Sequence, residues 1–126
     1  MSKRGDIFRC PLCGAIVQVV NPGCVPECCG QPMKAEVANT VDASKEKHVP
    51  VAENDGGLLK VKVGSAPHPM APEHFIEWIE IDAGDRVGKH FFQPGDAPEF
   101  TFRAPYAKGI VIRAYCNKHG LWEATV

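Results

Sequence analysis

Cys116 and His119, spaced as Cys-x2-His, join His48, His68 and His74 to give one thiolate and four imidazoles that fit no zinc-finger spacing. A structural zinc site is closed by four ligands in a tetrahedron, whereas five nitrogen and sulfur donors ask for a larger coordination shell with a place for substrate. His68 and His74 stand in one proline-stiffened stretch, His68-Pro69-Met70-Ala71-Pro72-Glu73-His74. Together these residues read as a redox metal centre. His90, beside Lys89, reads as an ordinary surface or core histidine.

A second donor set lies near the other end of the chain. Cys10-Pro11-Leu12-Cys13-Gly14 is a metal knuckle, in which glycine lets the backbone turn so that amide N–H groups face the sulfurs. Its partner is the adjacent pair Cys28-Cys29. Neighbouring side chains on an extended backbone point apart, so both thiolates reach one ion only through a bend, and a distorted tetrahedron is expected. The thiolates alone leave iron, a structural zinc and a redox-active Cys28-Cys29 pair open. Cys24 reads as a spare thiol in a loop.

These two chemistries must be positioned by a chain of 126 residues, long enough for one average domain or for two small ones if a metal holds the smaller. Five of the six cysteines fall in the first 29 residues, and the histidines begin only at His48, so two units are expected. Net charge is −1 and the pI is near 6.5, with no Lys/Arg stripe, which argues against nucleic acid. No stretch approaches the ~20 apolar residues of a membrane span, and MSKRGDIFRC lacks an apolar export core. A cytoplasmic chain is therefore expected, in a reducing compartment where closely spaced cysteines bind metal.

The patterning is all-β. Ile7–Arg9 and Ala15–Val20 flank the first knuckle, and Asn21-Pro22-Gly23 marks a turn. Residues 35–45 lack strong periodicity and read as a connection. Beyond it, short strands are predicted at Val49–Asn54, Leu58–Val63, Phe75–Asp82, Arg86–Phe92, Glu99–Arg103, Gly109–Tyr115 and Leu121–Val126. Asp55-Gly56-Gly57 is a hairpin signal. Seven strands at this spacing predict an immunoglobulin-like β-sandwich, with most of the candidate ligands in its loops.

The strings Cys10-Pro-Leu-Cys13-Gly, Cys28-Cys29-Gly30, Glu46-Lys47-His48-Val49-Pro50-Val51, His68-Pro69-Met70, Glu73-His74 with Glu77-Trp78, Pro94-Gly95-Asp96-Ala97-Pro98-Glu99 and Tyr115-Cys116-Asn117-x-His119-Gly120-x-Trp122 resemble the desulfoferrodoxins, the two-iron class of superoxide reductase, along nearly the whole chain. The resemblance implies a desulforedoxin-like, rubredoxin-type iron unit over residues 1–36, a linker over 37–45 and a catalytic sandwich over 46–126. It implies one iron held by Cys10, Cys13, Cys28 and Cys29, and a catalytic iron with His48, His68, His74 and His119 equatorial and Cys116 axial. Glu46 and Lys47 are implied at the open position, Glu46 as a ligand of the ferric ion and Lys47 beside the ferrous one. One-electron reduction of superoxide to hydrogen peroxide, a small donor such as rubredoxin, and a homodimer are likewise expectations of the resemblance. The alternative from another class is a non-catalytic electron carrier or metal-binding module.

Overall fold

A computed structural model describes residues 1–41 and 48–126. The chain divides into two compact units, Met1–Val37 and Ala38–Val126. Among the described residues there is no helix; every element is a strand.

The first unit is built from β1 (Ile7–Arg9), β2 (Ile16–Gln18), β3 (Glu27–Cys28), β4 (Gln31–Pro32) and β5 (Lys34–Ala35). β1 is the centre of an antiparallel sheet ordered β2-β1-β5, and β3 pairs with β4 in a separate hairpin. The apolar cluster beneath them is Phe8, Cys10 and Met33, with Val19 and Cys28 against it. A core this small, with a knuckle cysteine at its centre, cannot hold the unit by hydrophobic burial alone. β3, β4 and β5 were not predicted from the sequence, because two-residue strands carry no measurable period.

The second unit contains β6 (Pro50–Asp55), β7 (Leu58–Val63), β8 (Ile76–Asp82), β9 (Val87–Phe91), β10 (Glu99–Pro105), β11 (Val111–Cys116) and β12 (Gly120–Thr125). They form one three-stranded sheet, β10-β7-β6, and one four-stranded sheet, β12-β11-β8-β9. All pairings are antiparallel. In immunoglobulin lettering this is A-B-E against G-F-C-C′, the expected sandwich. Gly56 and Gly57, with φ of 59° and 95°, make the two-residue turn that joins β6 to β7 with the right twist.

Alternation decides what faces inward. Leu59, Val61 and Val63 of β7 are buried while Leu58 is exposed, and β10 contributes Phe102 and Ala104 to the same cluster. From the other sheet come Ile79 and Ile81 of β8 and Ile112, Ala114 and Cys116 of β11. Cys116 therefore occupies the next inward place after Ala114, at the end of a core-facing row. His90 stacks on Phe100 at 3.8 Å and meets Phe92 edge-on at 4.9 Å, closing the gap between the edge strands β9 and β10. It is a packing residue.

Two irregularities mark β8. Tyr115 pairs with Trp78 but Cys116 pairs with Ile76, so Glu77 is an extra residue opposite the end of β11. This bulge puts Ile76, rather than Glu77, into the core beside Cys116. On the outward side, Glu80 is fully buried, bridged by Lys89 at 3.1 Å and by the Arg113 guanidinium, its cross-strand neighbours. Burial lowers the pKa of Lys89, whose ammonium also lies 3.7 Å from the centre of the Trp78 ring. A buried carboxylate satisfied by two cations locks three strands in register.

Candidate metal centres

Among the described residues, two groups of donors converge: His48, His68, His74, Cys116 and His119, and Cys10, Cys13, Cys28 and Cys29, each group with ligand atoms within 4.8 Å of one another. The first assembles at one end of the sandwich. His48 enters β6, His68 and His74 lie between β7 and β8, Cys116 ends β11, and His119 sits in the turn to β12. Antiparallel pairing brings these strand ends together.

The four imidazoles form a closed ring of neighbours. Centroid separations are 4.5 Å for His48–His68, 4.9 Å for His68–His74, 5.0 Å for His74–His119 and 4.8 Å for His119–His48, and each pair is steeply inclined. Cys116 Sγ lies 3.7 Å from His68 Nε2 and 3.8 Å from His119 Nδ1, two rings on opposite corners of that square. The sulfur is thus placed beneath the middle of the square, on the core side. His48, His68 and Cys116 are buried, His74 is half-buried and His119 is exposed, so the arrangement opens to solvent on the His119 side.

Local hydrogen bonds fix the loops that carry these rings. His68 Nδ1 lies 2.7 Å from the Pro69 carbonyl oxygen, which makes Nδ1 the protonated nitrogen and leaves the Nε2 lone pair facing the cluster. Ala71 and His74 exchange two backbone hydrogen bonds of 3.0 Å, tightening the second half of that loop. Asn117 then ties it to the β11–β12 turn: its Oδ1 accepts from Phe75 N–H at 3.0 Å and its Nδ2 donates to the Glu73 carbonyl at 3.1 Å. Trp122 stacks on His48 at 4.6 Å and donates its indole N–H to the His119 carbonyl at 3.1 Å. The tying roles of Asn117 and Trp122 are invisible to spacing rules. Their only sequence signal is their place beside the ligand pair, Asn117 within it and Trp122 just after it, in Cys116-Asn117-x-His119-Gly120-x-Trp122.

In the N-terminal cluster, the adjacent cysteines reach one point through the bend that their spacing demands. Cys28 ends β3, and Cys29 and Gly30, with φ of 55° and 77°, form the two-residue turn into β4. Cys29 holds the left-handed conformation without being glycine, which costs about 1–2 kcal/mol and is retained where the surroundings fix it. Cys13 N–H donates to Cys10 Sγ at 3.4 Å across the first knuckle.

Both donor sets fit a metal ion. Ligands held about 2.1 Å from an ion at right angles are about 3 Å apart, and thiolates about 2.3 Å from an ion in a tetrahedron are about 3.8 Å apart. His48 Nε2 and His119 Nδ1 are separated by 3.1 Å, Cys13 and Cys28 Sγ by 3.6 Å, and Cys28 and Cys29 Sγ by 3.8 Å. Glu46 and Lys47, expected at the open side of the square, lie outside the described residues.

The thiols show what a cation must do. The backbone N–H of Cys13 holds Cys10 down at about 6, whereas contact with Cys13 first of all pushes Cys28 up to about 12 and raises Cys29 as well. At neutral pH Cys10 is a thiolate while Cys28 and Cys29 keep their protons, which an incoming ion must displace. Raised pKa values mean that affinity climbs with pH: the protons on Cys28 and Cys29 alone give about a hundredfold per pH unit. Zinc competition on the metal-free full chain at pH 7 and 8, corrected for the chelator's own protonation, should show a slope at least that steep at this site. A flat profile would mean that the cluster is already ionised.

Known proteins agree with both clusters. The model of the family described as "Desulfoferrodoxin, N-terminal domain" matches residues 2–35, and that of "Desulfoferrodoxin" matches residues 40–125. A desulfoferrodoxin homolog of Methanothermobacter thermautotrophicus is 50% identical over 123 residues, covering 97% of this chain and 99% of its own. A superoxide reductase of Pyrococcus abyssi is 37% identical over 112 residues, covering 75% of this chain and 97% of its own. The crystal structure of the superoxide reductase from Treponema pallidum superposes with a TM-score of 0.72 at 34% identity, over 94% of this chain and 97% of that one. With both domain models matched in order, and a four-cysteine cluster and a four-histidine, one-cysteine cluster each lying within its own domain, the chain belongs to the desulfoferrodoxin family.

Proposed function

We propose that this chain is a superoxide reductase. Superoxide takes up one electron, supplied in the end by an external donor, and two protons, leaving as hydrogen peroxide without formation of dioxygen. The observation that carries this reading is the square of four imidazoles backed on its core side by a single buried thiolate. His48, His68, His74, His119 and Cys116 would hold the catalytic iron, and Cys10, Cys13, Cys28 and Cys29 a second, rubredoxin-like iron. Iron held by these residues would bind superoxide and supply the single electron that it needs.

Every other part of the work falls to side chains. Cys116 presents its sulfur from a buried, apolar setting, where a thiolate is a strong electron donor. The Pro69 carbonyl keeps the His68 lone pair on Nε2 pointed inward. Exposure on the His119 side admits a small anion and the water that delivers protons. Lys47 and Glu46 stand one and two residues before His48 in the sequence. Lys47 would attract the superoxide anion and order the proton-delivering water, and Glu46, a hard carboxylate, would be a ligand suited to the oxidised iron.

The finer assignments rest on the family likeness and on cysteine usage. They are an iron unit over residues 1–36, a linker over 37–45 and a catalytic unit over 46–126, a small donor such as rubredoxin, a homodimer and a cytoplasmic location.

Pulse radiolysis of the reduced protein tests the reading. Peroxide without dioxygen is expected, and dioxygen evolution would make the chain a dismutase instead. In the same experiment Lys47→Ala should slow the bimolecular step several-fold and flatten its salt dependence as the Debye length shrinks from ~30 Å at 0.01 M to ~10 Å at 0.1 M. Lys47→Arg should keep both, and an unchanged alanine variant would remove Lys47 from the site.

A further inference from the structure

We infer that Trp122 is a positioning residue of the four-histidine square, holding two of its corners through two different kinds of contact. This rests on the assignment of the square as a metal centre. The indole lies flat on His48, with centroids 4.6 Å apart and planes 15° apart, whereas the His48 ring meets its two imidazole neighbours at 64° and 75°. The stack therefore fixes the plane of His48 from outside the square. The same indole donates Nε1–H to the carbonyl of His119 at 3.1 Å, pinning the backbone of the next corner. His48 Nε2 and His119 Nδ1 are the donor pair that stand 3.1 Å apart, and Trp122 is the side chain that touches both residues from behind.

The support for Trp122 is itself braced. β12 is an edge strand of its sheet, and an edge strand is where a side chain is least well anchored. Here the edge is covered at this position: Asn39 makes a parallel bridge to Trp122, donates its N–H to the Leu121 carbonyl at 2.9 Å and accepts from Glu123 N–H at 2.9 Å. Its side-chain Nδ2 reaches the same Leu121 carbonyl at 3.4 Å. The residues on either side of the one that carries the indole, Leu121 and Glu123, are thus both held by Asn39. Asn39 falls in the stretch that the sequence presents as featureless connection.

The two contacts can be separated by substitution. Trp122→Phe keeps an aromatic face for His48 and loses the donor to His119; Trp122→Leu loses both. Outer-shell partners of metal ligands are worth about 10–100-fold in metal affinity, and a single neutral hydrogen bond about threefold to tenfold. Iron release from the fully loaded protein into a ferrous chelator should accelerate about threefold in Trp122→Phe and about tenfold or more in Trp122→Leu. The ferric electron paramagnetic resonance signal of the loaded square should change its rhombicity in the leucine variant and stay near the native form in the phenylalanine variant, because ligand planes determine it and general stability does not. Native iron release and a native ferric signal in Trp122→Leu, even with a lowered melting temperature, would make Trp122 mere packing and overturn the proposal. If the leucine variant does not fold, the phenylalanine variant decides alone: native iron release there overturns it. Loss of superoxide reduction by the unsubstituted chain would overturn the functional assignment instead, and leaves these two readouts intact.

Discussion

Cys116→Ser is expected to abolish the sulfur-to-iron charge-transfer absorption of the oxidised protein and to lower the rate of superoxide reduction at least about a hundredfold, or about 2.7 kcal/mol. Serine keeps its proton at neutral pH and offers a harder, poorer donor than a thiolate, so the electron push from the core side of the square is lost. It also puts a hydroxyl in the row of Ile112 and Ala114, where an unsatisfied polar group costs about 1–3 kcal/mol. Visible spectra with iron quantitation, followed by pulse radiolysis, check this. A variant that keeps the band would show that another sulfur serves the site. The N-terminal absorption should be untouched, since the two donor sets share no residue.

The converse substitution separates the two units. Cys13→Ser removes one of four thiolates around which the first unit is organised, a unit whose apolar cluster consists of Phe8, Cys10 and Met33. Its metal is the greater part of its core, so the rubredoxin-type spectrum should vanish and residues 1–37 should become protease-sensitive. Direct reduction of superoxide by the pre-reduced catalytic centre should stay within about twofold, as for sites without shared partners. Loss of superoxide reduction along with that spectrum would mean that the first unit is needed for the chemistry itself. Stopped-flow spectra and limited proteolysis of the same preparation distinguish the outcomes.

The donors and the sandwich are readable in the chain because both obey short-range rules. Cys10-x2-Cys13 and Cys116-x2-His119 are local spacings, and Leu59, Val61 and Val63 alternate as a half-buried strand must. Residue type nominates His48, His68 and His74 as further donors, but their convergence depends on contacts between strand ends far apart in sequence, which spacing does not show. What escapes such a reading is set by one-residue events. The bulge at Glu77 breaks alternation between Ile76 and Ile79, and periodicity has no term for an inserted residue. Glu80 looks like the polar side of a strand, yet it is fully buried because Lys89 and Arg113 lie opposite it on both neighbouring strands. β3 and β4 are too short for a pattern, and what forms them is the turn at Cys29-Gly30. Asn39 is held to β12 by backbone atoms, which every residue possesses.

The inward row Ile112, Ala114, Cys116 gives the catalytic centre two clocks. The imidazoles are carried on loops and strand ends, segments that open by local excursions at small free energy. The sulfur belongs to the hydrophobic interior, and its backbone is displaced only when the sandwich itself comes apart, at the rate of global unfolding. An ion that lost one imidazole would still be held by the remaining donors. The place of the sulfur is therefore inherited from the fold, whereas the imidazole geometry that governs how readily metal leaves is set locally by the loops and by what braces them.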